Sequence, residues 1–403
     1  MKSEVSETTR RRTIAVAVVG FGWMGRVHAR AYSRVIQHFP ELGLLPRMAA
    51  VADENHNALN DALRQFHFDG VCLDWHEVAE DPSIEAVSIT APNFLHREIA
   101  VAMADAGKHI WIEKPVGLGL EDARAIADAL RAAGVCSAVG FNYRNAPAVE
   151  LARKVISDGE LGRITHARVR FFSDYAAHPD SALTWRFQRE RGGNGALGDL
   201  ASHAFDMATH LMGEIESLSA ESATFISRRP RPSGGTVGHV RATGGEMGEV
   251  ENEDFVTSLV RFSSGAVGVV EASRVATGEQ NAYGFEIHGT RGFLHWDFRR
   301  MGELRLGRGD KFQDQEVSTV YVGPGDGLYA AFQPGSAISM GWDDLKVVEA
   351  RNFLSSIHSG TPQGASIADA LQTAALLEAV ERSVRDRTWV SPCYQGCGEE
   401  FQR

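Results

Sequence analysis

Apolar positions follow two different rhythms along the chain. In the first third, short unbroken apolar runs alternate with stretches of helical periodicity. Residues 14–19 (IAVAVV) form such a run, and it suits a strand buried on both faces of a parallel sheet. A helix-like stretch at 26–39 follows, then a loop at 40–46 (PELGLLP) and a second strand at 47–53 that ends on Asp53. Helical periodicity returns at 56–66, before a short strand at 70–72 and a helical start at Asp74. Strands are predicted at 85–90 and 109–114, separated by a helix that runs to Asp105. The amphipathic stretch 120–133 ends at Gly134, a C-terminal cap signal, and 135–142 closes this half as a strand. Strand and helix alternating over this length predict an α/β, doubly wound Rossmann sheet over 13–141.

After Asn142 the rhythm changes. Longer alternating segments appear at 165–175, 256–276, 283–298 and 303–323, with turn signals at Ser264-Gly265 and Thr290–Gly292. They predict a large, mostly antiparallel open sheet with a few helices, hence a second α+β domain over 142–392. Residues 229–251 are rich in Gly, Pro and Arg and read as a long mobile loop. A last helix is predicted at 367–386, with tails at 1–12 and 393–403.

The net charge of −11 disfavours nonspecific binding to nucleic acid, whose phosphates need a basic surface. No apolar run reaches membrane-spanning length. The start, RRR followed by IAVAVV, imitates an export signal, but cleavage there would remove the first strand of the fold. Four scattered cysteines, Cys72, Cys136, Cys393 and Cys397, fit a reducing compartment. Cys393 and Cys397 lack a second pair of ligands nearby, so no metal is expected. These features together point to the cytoplasm.

The segment Gly20-Phe21-Gly22-Trp23-Met24-Gly25 is a G-x-G-x-x-G fingerprint placed between a strand and a helix. Its glycines permit a tight turn and close backbone approach, and the helix N-terminus offers free N–H groups to a pyrophosphate. Asp53 ends the second strand, where a carboxylate accepts from both ribose hydroxyls and repels a 2′-phosphate. The residues that follow, Glu54, Asn55 and His56, include no arginine to hold such a phosphate. NAD is therefore expected rather than NADP.

Two further features bear on chemistry. Lys114 stands at the carboxyl end of a strand, where ligands bind in open α/β sheets, and its bond to Pro115 is a candidate cis peptide. Asp199 and His203 are four residues apart, which on a helix puts both on one face, with Asp206 and His210 extending the stripe. His203 can exchange protons near neutrality, and an aspartate beside it can orient it.

The motifs GFGWMGRVHA (20–29), ITAPNFLH (89–96), EKPVG (113–117) and GALGDLASHAFDMATHLMG (195–213) together resemble the glucose–fructose oxidoreductase/inositol dehydrogenase/rhizopine-catabolism (Gfo/Idh/MocA) family. The likeness runs from Ile14 to about Pro392. EVENEDFV (249–256) and DGLYAAFQPG (326–335) are also similar to a branch that contains levoglucosan dehydrogenases. The resemblance implies that Lys114 reaches the reacting hydroxyl of a sugar or cyclic polyol, with Asp199 and His203 completing a proton relay. It implies that Thr90, Ala91, Pro92, Asn93, Glu113 and Asn142 border the cofactor. His96 is a candidate cofactor contact or a helix cap. Tyr143 and Arg144 are candidate substrate contacts, and Trp185 and Arg186 candidate contacts to either ligand. It also implies a homodimer or homotetramer.

Three functions use these residues. One is a dehydrogenase that oxidises a secondary hydroxyl and releases NADH. Another is an NAD-dependent glycosidase that oxidises transiently, eliminates the aglycone and returns the hydride. The third is a sugar-sensing regulator that kept the fold without the chemistry. Whether Lys114 or His203 is the immediate base stays open.

Overall fold

The computed structural model describes residues 11–232, 241–242 and 244–394. The first third builds β1 (Arg12–Val19), α1 (Trp23–His38), β2 (Leu44–Ala52), α2 (His56–Phe66), β3 (Gly70–Cys72) and α3 (His76–Glu80). It continues through β4 (Ala86–Ile89), α4 (His96–Asp105), β5 (His109–Ile112), α5 (Leu120–Ala133) and β6 (Ser137–Val139). The six strands form an all-parallel sheet in the order β3-β2-β1-β4-β5-β6. Ile14, Val16, Ala17 and Val18 are fully buried, as a strand covered on both faces requires. The order reverses between β1 and β4, and a crevice opens there at the carboxyl ends of the strands.

One boundary differs from the sequence reading. Leu44, Leu45 and Pro46 belong to β2 rather than to a loop, with Pro46 opposite Ile14. Proline is tolerated because β3 pairs only with Ala50–Ala52, so β2 is an open edge at Pro46 and the missing N–H leaves no ladder bond unmade.

The second half begins with α6 (Pro147–Ser157), β7 (Ile164–Phe172) and α7 (Arg189–Gly192). A π-helical turn, Leu197–Ala201, runs into α8 (Ser202–Met212). Then come β8 (Ile215–Ala223), β9 (Arg228–Pro230), β10 (Met247–Glu249), β11 (Phe255–Phe262), β12 (Val267–Ser273), β13 (Ala282–Gly289), β14 (Gly292–Asp297), β15 (Glu303–Arg308) and β16 (Ser318–Tyr321). Eight strands make one sheet, β16-β15-β14-β13-β7-β12-β11-β8, antiparallel except for the β7–β12 pair. α8 is buried almost all round against one face of it, which makes α8 the centre of the second core.

The segment 229–251 is not simply a loop. Its ends pair as the β9–β10 ribbon, and Arg229 is fully buried there; residues 233–240 and 243 lie outside the described residues. Two helices have no counterpart in the sequence reading: α6, and α9 (Trp342–Ser359), which precedes α10 (Ile367–Asp386). Although α9 follows the second sheet in sequence, Val347, Val348, Phe353 and Leu354 pack with Ile14, Tyr32 and Trp111 of the first domain. The chain thus returns to the Rossmann half and carries the start of α9 to the mouth of the crevice.

Candidate active site

The crevice widens into a cleft of about 1460 Å³ between the two sheets. That exceeds the roughly 300–1,000 Å³ of sites for a single drug-sized ligand, and leaves room for a dinucleotide with a small second molecule. Of the residues expected at the site, all line this cleft except Phe21, Gly25 and Arg144.

At one end lies the fingerprint turn. Gly20 adopts φ +87°, and a Cβ on it would fall 2.7 Å from Ala91 N. A Cβ on Gly25 would fall 2.2 Å from Gly20 O, so this glycine lets α1 press against the turn rather than touching a ligand itself. Nothing lies within 4 Å of a Cβ placed on Gly22, and α1 has no side-chain cap and no acidic residue in its first turn. An uncapped helix N-terminus facing open space fits a pyrophosphate. The Phe21 ring is core, packed edge-on against Phe66 and Phe68; only its backbone belongs to the site. Asp53 takes the Phe21 N–H on Oδ2 at 2.5 Å and the Asn55 N–H on Oδ1 at 2.8 Å, which fixes its carboxylate at the cleft edge. Farther in, Asn142 is buried with its Nδ2 lacking any hydrogen-bond partner. An unpartnered buried amide donor on a cleft-lining residue fits a ligand that accepts from it. These features fit NAD.

At the other end lie the titratable groups. The Lys114–Pro115 peptide is cis. Lys114 Nζ donates to the Asp199 backbone oxygen at 2.7 Å and to Asp199 Oδ1 at 2.9 Å. The second carboxylate oxygen, Oδ2, accepts from the Tyr175 hydroxyl at 2.6 Å. Burial pushes the Asp199 carboxyl up, but Lys114, the Tyr175 hydrogen bond and Arg186 outweigh it and hold it below the ordinary carboxylate range.

His203 lies one turn further along α8, buried against Tyr143 at 4.9 Å and Phe141 at 5.9 Å between ring centroids. Burial first, and then the Lys114 charge, push its pKa well below the ordinary value, so the ring is neutral at pH 7. The Asp199–His203 pairing expected from the spacing is not what forms. Asp199 sits on the π-helical turn and its carboxylate is taken by Lys114 and Tyr175. Asp206, the next acid of that stripe, is engaged by Arg144.

Arg144 is a correction. Its guanidinium grips Asp206 through Nε at 2.8 Å and a second nitrogen at 2.5 Å, and reaches Asp369 at 2.8 Å. It ties the domain entry to α8 and α10 and does not line the cleft. Glu113 does line the cleft, but its carboxylate is held by His28 Nε2 at 3.0 Å and by Lys346 Nζ. His96 has Nδ1 2.8 Å from Pro115 O and Nε2 2.8 Å from Ala91 O, which fastens the Thr90–Asn93 turn to the cis-proline segment. Burial pushes this imidazole toward its neutral form, which can donate to one of the two carbonyls at a time. Trp185 is half-buried, with Arg186 4.3 Å above its ring.

Among the cleft residues that escape the sequence reading are Tyr175, Phe298, Trp342 and Lys346. Tyr175 closes a predicted strand, and its place at a strand's carboxyl end was the available signal. Trp342 and Lys346 sit on α9. Trp342 stacks on Trp23 of the fingerprint at 5.1 Å and 18°, and both line the cleft.

Among the described residues no cluster of three metal-ligating side chains occurs, and no helix is long and apolar enough to cross a membrane.

Residues 14–141 match the model of an oxidoreductase family with an NAD-binding Rossmann fold, and 149–295 match the Gfo/Idh/MocA C-terminal domain. A levoglucosan dehydrogenase from Pseudarthrobacter phenanthrenivorans is 39% identical over 94% of this chain and 98% of its own. A myo-inositol 2-dehydrogenase from Thermotoga maritima is 24% identical over 92% of this chain and 96% of its own. A solved levoglucosan dehydrogenase in complex with NADH and levoglucosan superposes with a TM-score of 0.88 at 37% identity, over 94% of this chain and all of that one.

Proposed function

Because the chain belongs to the Gfo/Idh/MocA oxidoreductase family, with an NAD-binding Rossmann domain, we propose that its cleft oxidises a secondary hydroxyl of a sugar or cyclic polyol to a ketone. The observation that carries this reading is the convergence of Lys114, Asp199 and His203 at one end of a cleft whose other end is a dinucleotide cradle. Levoglucosan is the first substrate to try, since the relative with 39% identity bears that name; inositols come next.

The chemistry follows from the side chains. A nicotinamide dinucleotide held by the fingerprint turn and Asp53 would supply the acceptor for the hydride of the carbinol carbon. That transfer needs the hydroxyl proton to leave at the same time, so a base must touch the oxygen. Lys114 Nζ has two of its donors on Asp199 and keeps the third for the substrate oxygen, where it stabilises developing negative charge. Lys114 and His203 are the two groups of the relay that can take the proton; burial and the Lys114 charge disfavour the charged form of His203, so any proton it accepts must pass on. Asp199, held ionised, keeps Lys114 in place. Tyr143, Phe298 and Trp342 give the cleft aromatic walls that suit the C–H faces of a sugar ring.

The test is NADH formation, read at its absorbance, over a panel of levoglucosan, inositols, pyranoses and glycosides, with Lys114→Ala as control. Net NADH from a member of the panel, lost in the variant, supports the dehydrogenase. Aglycone release without net NADH would replace it with the glycosidase reading. NAD binding with no turnover of any kind would leave a sensor.

We also place the protein in the cytoplasm as a homodimer or homotetramer. Leu259 and Val267 stand 54% and 47% exposed on the outer face of the second sheet, apolar surface that a second copy would cover. A monomer by light scattering at micromolar concentration would contradict the oligomer.

A further inference from the structure

Arg229 is a costly residue in this fold. Its side chain is fully buried, and among the described residues no carboxylate lies within ion-pair distance of it. Its Nε has no hydrogen-bond partner. The guanidinium lies 4.4 Å from the Phe187 ring, which also carries Arg274 at 4.6 Å. Arg274 has Asp254 as its counter-ion at 2.8 Å; Arg229 has only two backbone carbonyls. A buried cation without a carboxylate costs stability, so its persistence asks what it holds.

It holds one short turn. Arg229 donates to Ala176 O at 2.6 Å and to His178 O at 2.8 Å, while Ala176 N donates to Arg274 O at 3.0 Å. Ala176 is the residue after Tyr175. The turn is therefore fixed on both of its backbone polar groups just where the chain leaves β7. That constraint aims the Tyr175 hydroxyl at Asp199 Oδ2, 2.6 Å away, while Oδ1 of the same carboxylate receives Lys114. Both carboxylate oxygens of Asp199 are thus engaged, one by Tyr175 and the other by Lys114.

We propose that Tyr175, aimed by Arg229, is a positioning residue of the active site: its hydroxyl locks the Asp199 carboxylate in the orientation that holds Lys114. The inference rests on the dehydrogenase reading for its consequence and on the hydrogen-bond geometry for its substance. The charged and titratable groups around the lock are Lys114 and Arg186 facing Asp199, Arg274 and Arg186 facing Tyr175, and Glu113 and Lys346 facing His203 behind them. The Tyr175 hydrogen bond favours the ionised form of Asp199, so its loss moves that carboxyl up toward the ordinary range.

The test is Tyr175→Phe, which keeps the ring and removes one oxygen. Steady-state kinetics on a substrate that the unmodified enzyme turns over should give kcat reduced about tenfold, the loss expected for one hydrogen bond to a charged group, with KM within about twofold. The acid limb of the kcat/KM profile should move to higher pH. A merely structural role would alter neither the split between kcat and KM nor that limb. Independently of turnover, the rate at which acetic anhydride labels Lys114, followed by peptide mass spectrometry, should rise about threefold or more as the pair loosens. Unchanged kcat, acid limb and labelling in the variant would overturn the proposal. If the unmodified enzyme oxidises nothing in the panel, the functional reading fails, and the labelling rate still decides whether Tyr175 locks the pair.

Discussion

Replacing Lys346 by methionine tests how the two domains are joined beneath the cleft. Lys346 lies on α9 with its side chain 1% exposed, hydrogen-bonded to Glu113 at the end of β5 and within ion-pair distance, 2.8 Å, of Glu349. Glu113 also meets His28 of α1, whose ring stacks on Trp111 at 3.6 Å between centroids. Methionine keeps the unbranched stem against Trp111 and Trp342 and removes only the charge. Breaking a buried pair from one side costs about 3–5 kcal/mol, because the remaining charge has lost its partner. Burial raises Glu349 to about 8 against the pull of Lys346, so near neutral pH it is largely protonated and Glu113 is the charge stranded by the substitution. That places the expected loss near the lower end, about 3 kcal/mol. For domain-sized units it corresponds to a fall in melting temperature of roughly 6–12 °C. Thermal unfolding followed by tryptophan fluorescence gives the value, and Lys346→Met/Glu113→Gln completes the cycle. The double variant should recover more than half of the loss, since both ends of the pair are then neutral. A single-variant loss under about 1 kcal/mol, or a double variant as unstable as the sum of the singles, would refute the idea that this pair joins α9 to β5.

Three other outcomes follow from the geometry. Gly25→Ala puts a Cβ 2.2 Å from Gly20 O, so NAD affinity should fall at least about tenfold by fluorescence titration; undiminished affinity would mean the turn is not the nucleotide cradle. Asp53→Ala removes the carboxylate at the ribose end, so the preference for NAD over NADP should shrink by about tenfold or more in kcat/KM; an unaltered ratio would show that Asp53 does not read the ribose. Glu349→Gln should flatten the dependence of stability on pH. Because burial raises this carboxyl from 4.5 to about 8, its contribution is complete below about 4.5 and is lost as pH rises through 8. Urea midpoints between about pH 5 and 8 should therefore decline less in the variant; equal slopes would remove Glu349 as the titrating group.

The first domain was legible because parallel strands covered on both faces must be apolar without a break, as at 14–19, and because the fingerprint turn has strict steric demands at Gly20 and Gly25. Lys114 stood out because its strand end coincides with the EKP motif (113–115) that carries the family resemblance. Other parts were hidden for physical reasons. Helix α9 escaped because Lys346 and Glu349 occupy buried positions, which breaks the apolar period that marks a helix. Arg144 looked like a substrate ligand because nothing local reveals that Asp206 and Asp369 close on it from distant helices. The spacing of Asp199 and His203 suggested a pair, yet a π-helical turn and two competing donors gave the carboxylate to Lys114 and Tyr175. Tyr175 itself depends on a turn fixed by Arg229 from 54 positions away (229 − 175), a contact no local pattern announces.

The most direct measurement is the fate of hydrogen on the carbinol carbon. A substrate from the sugar and polyol panel, deuterated at its carbinol carbons, is incubated with the enzyme and NAD, and the reduced nucleotide is weighed by mass spectrometry. The account predicts NADH carrying one deuterium, a matching ketone product, and neither from Lys114→Ala. Reduced nucleotide without deuterium, or an undiminished yield from Lys114→Ala, would contradict it.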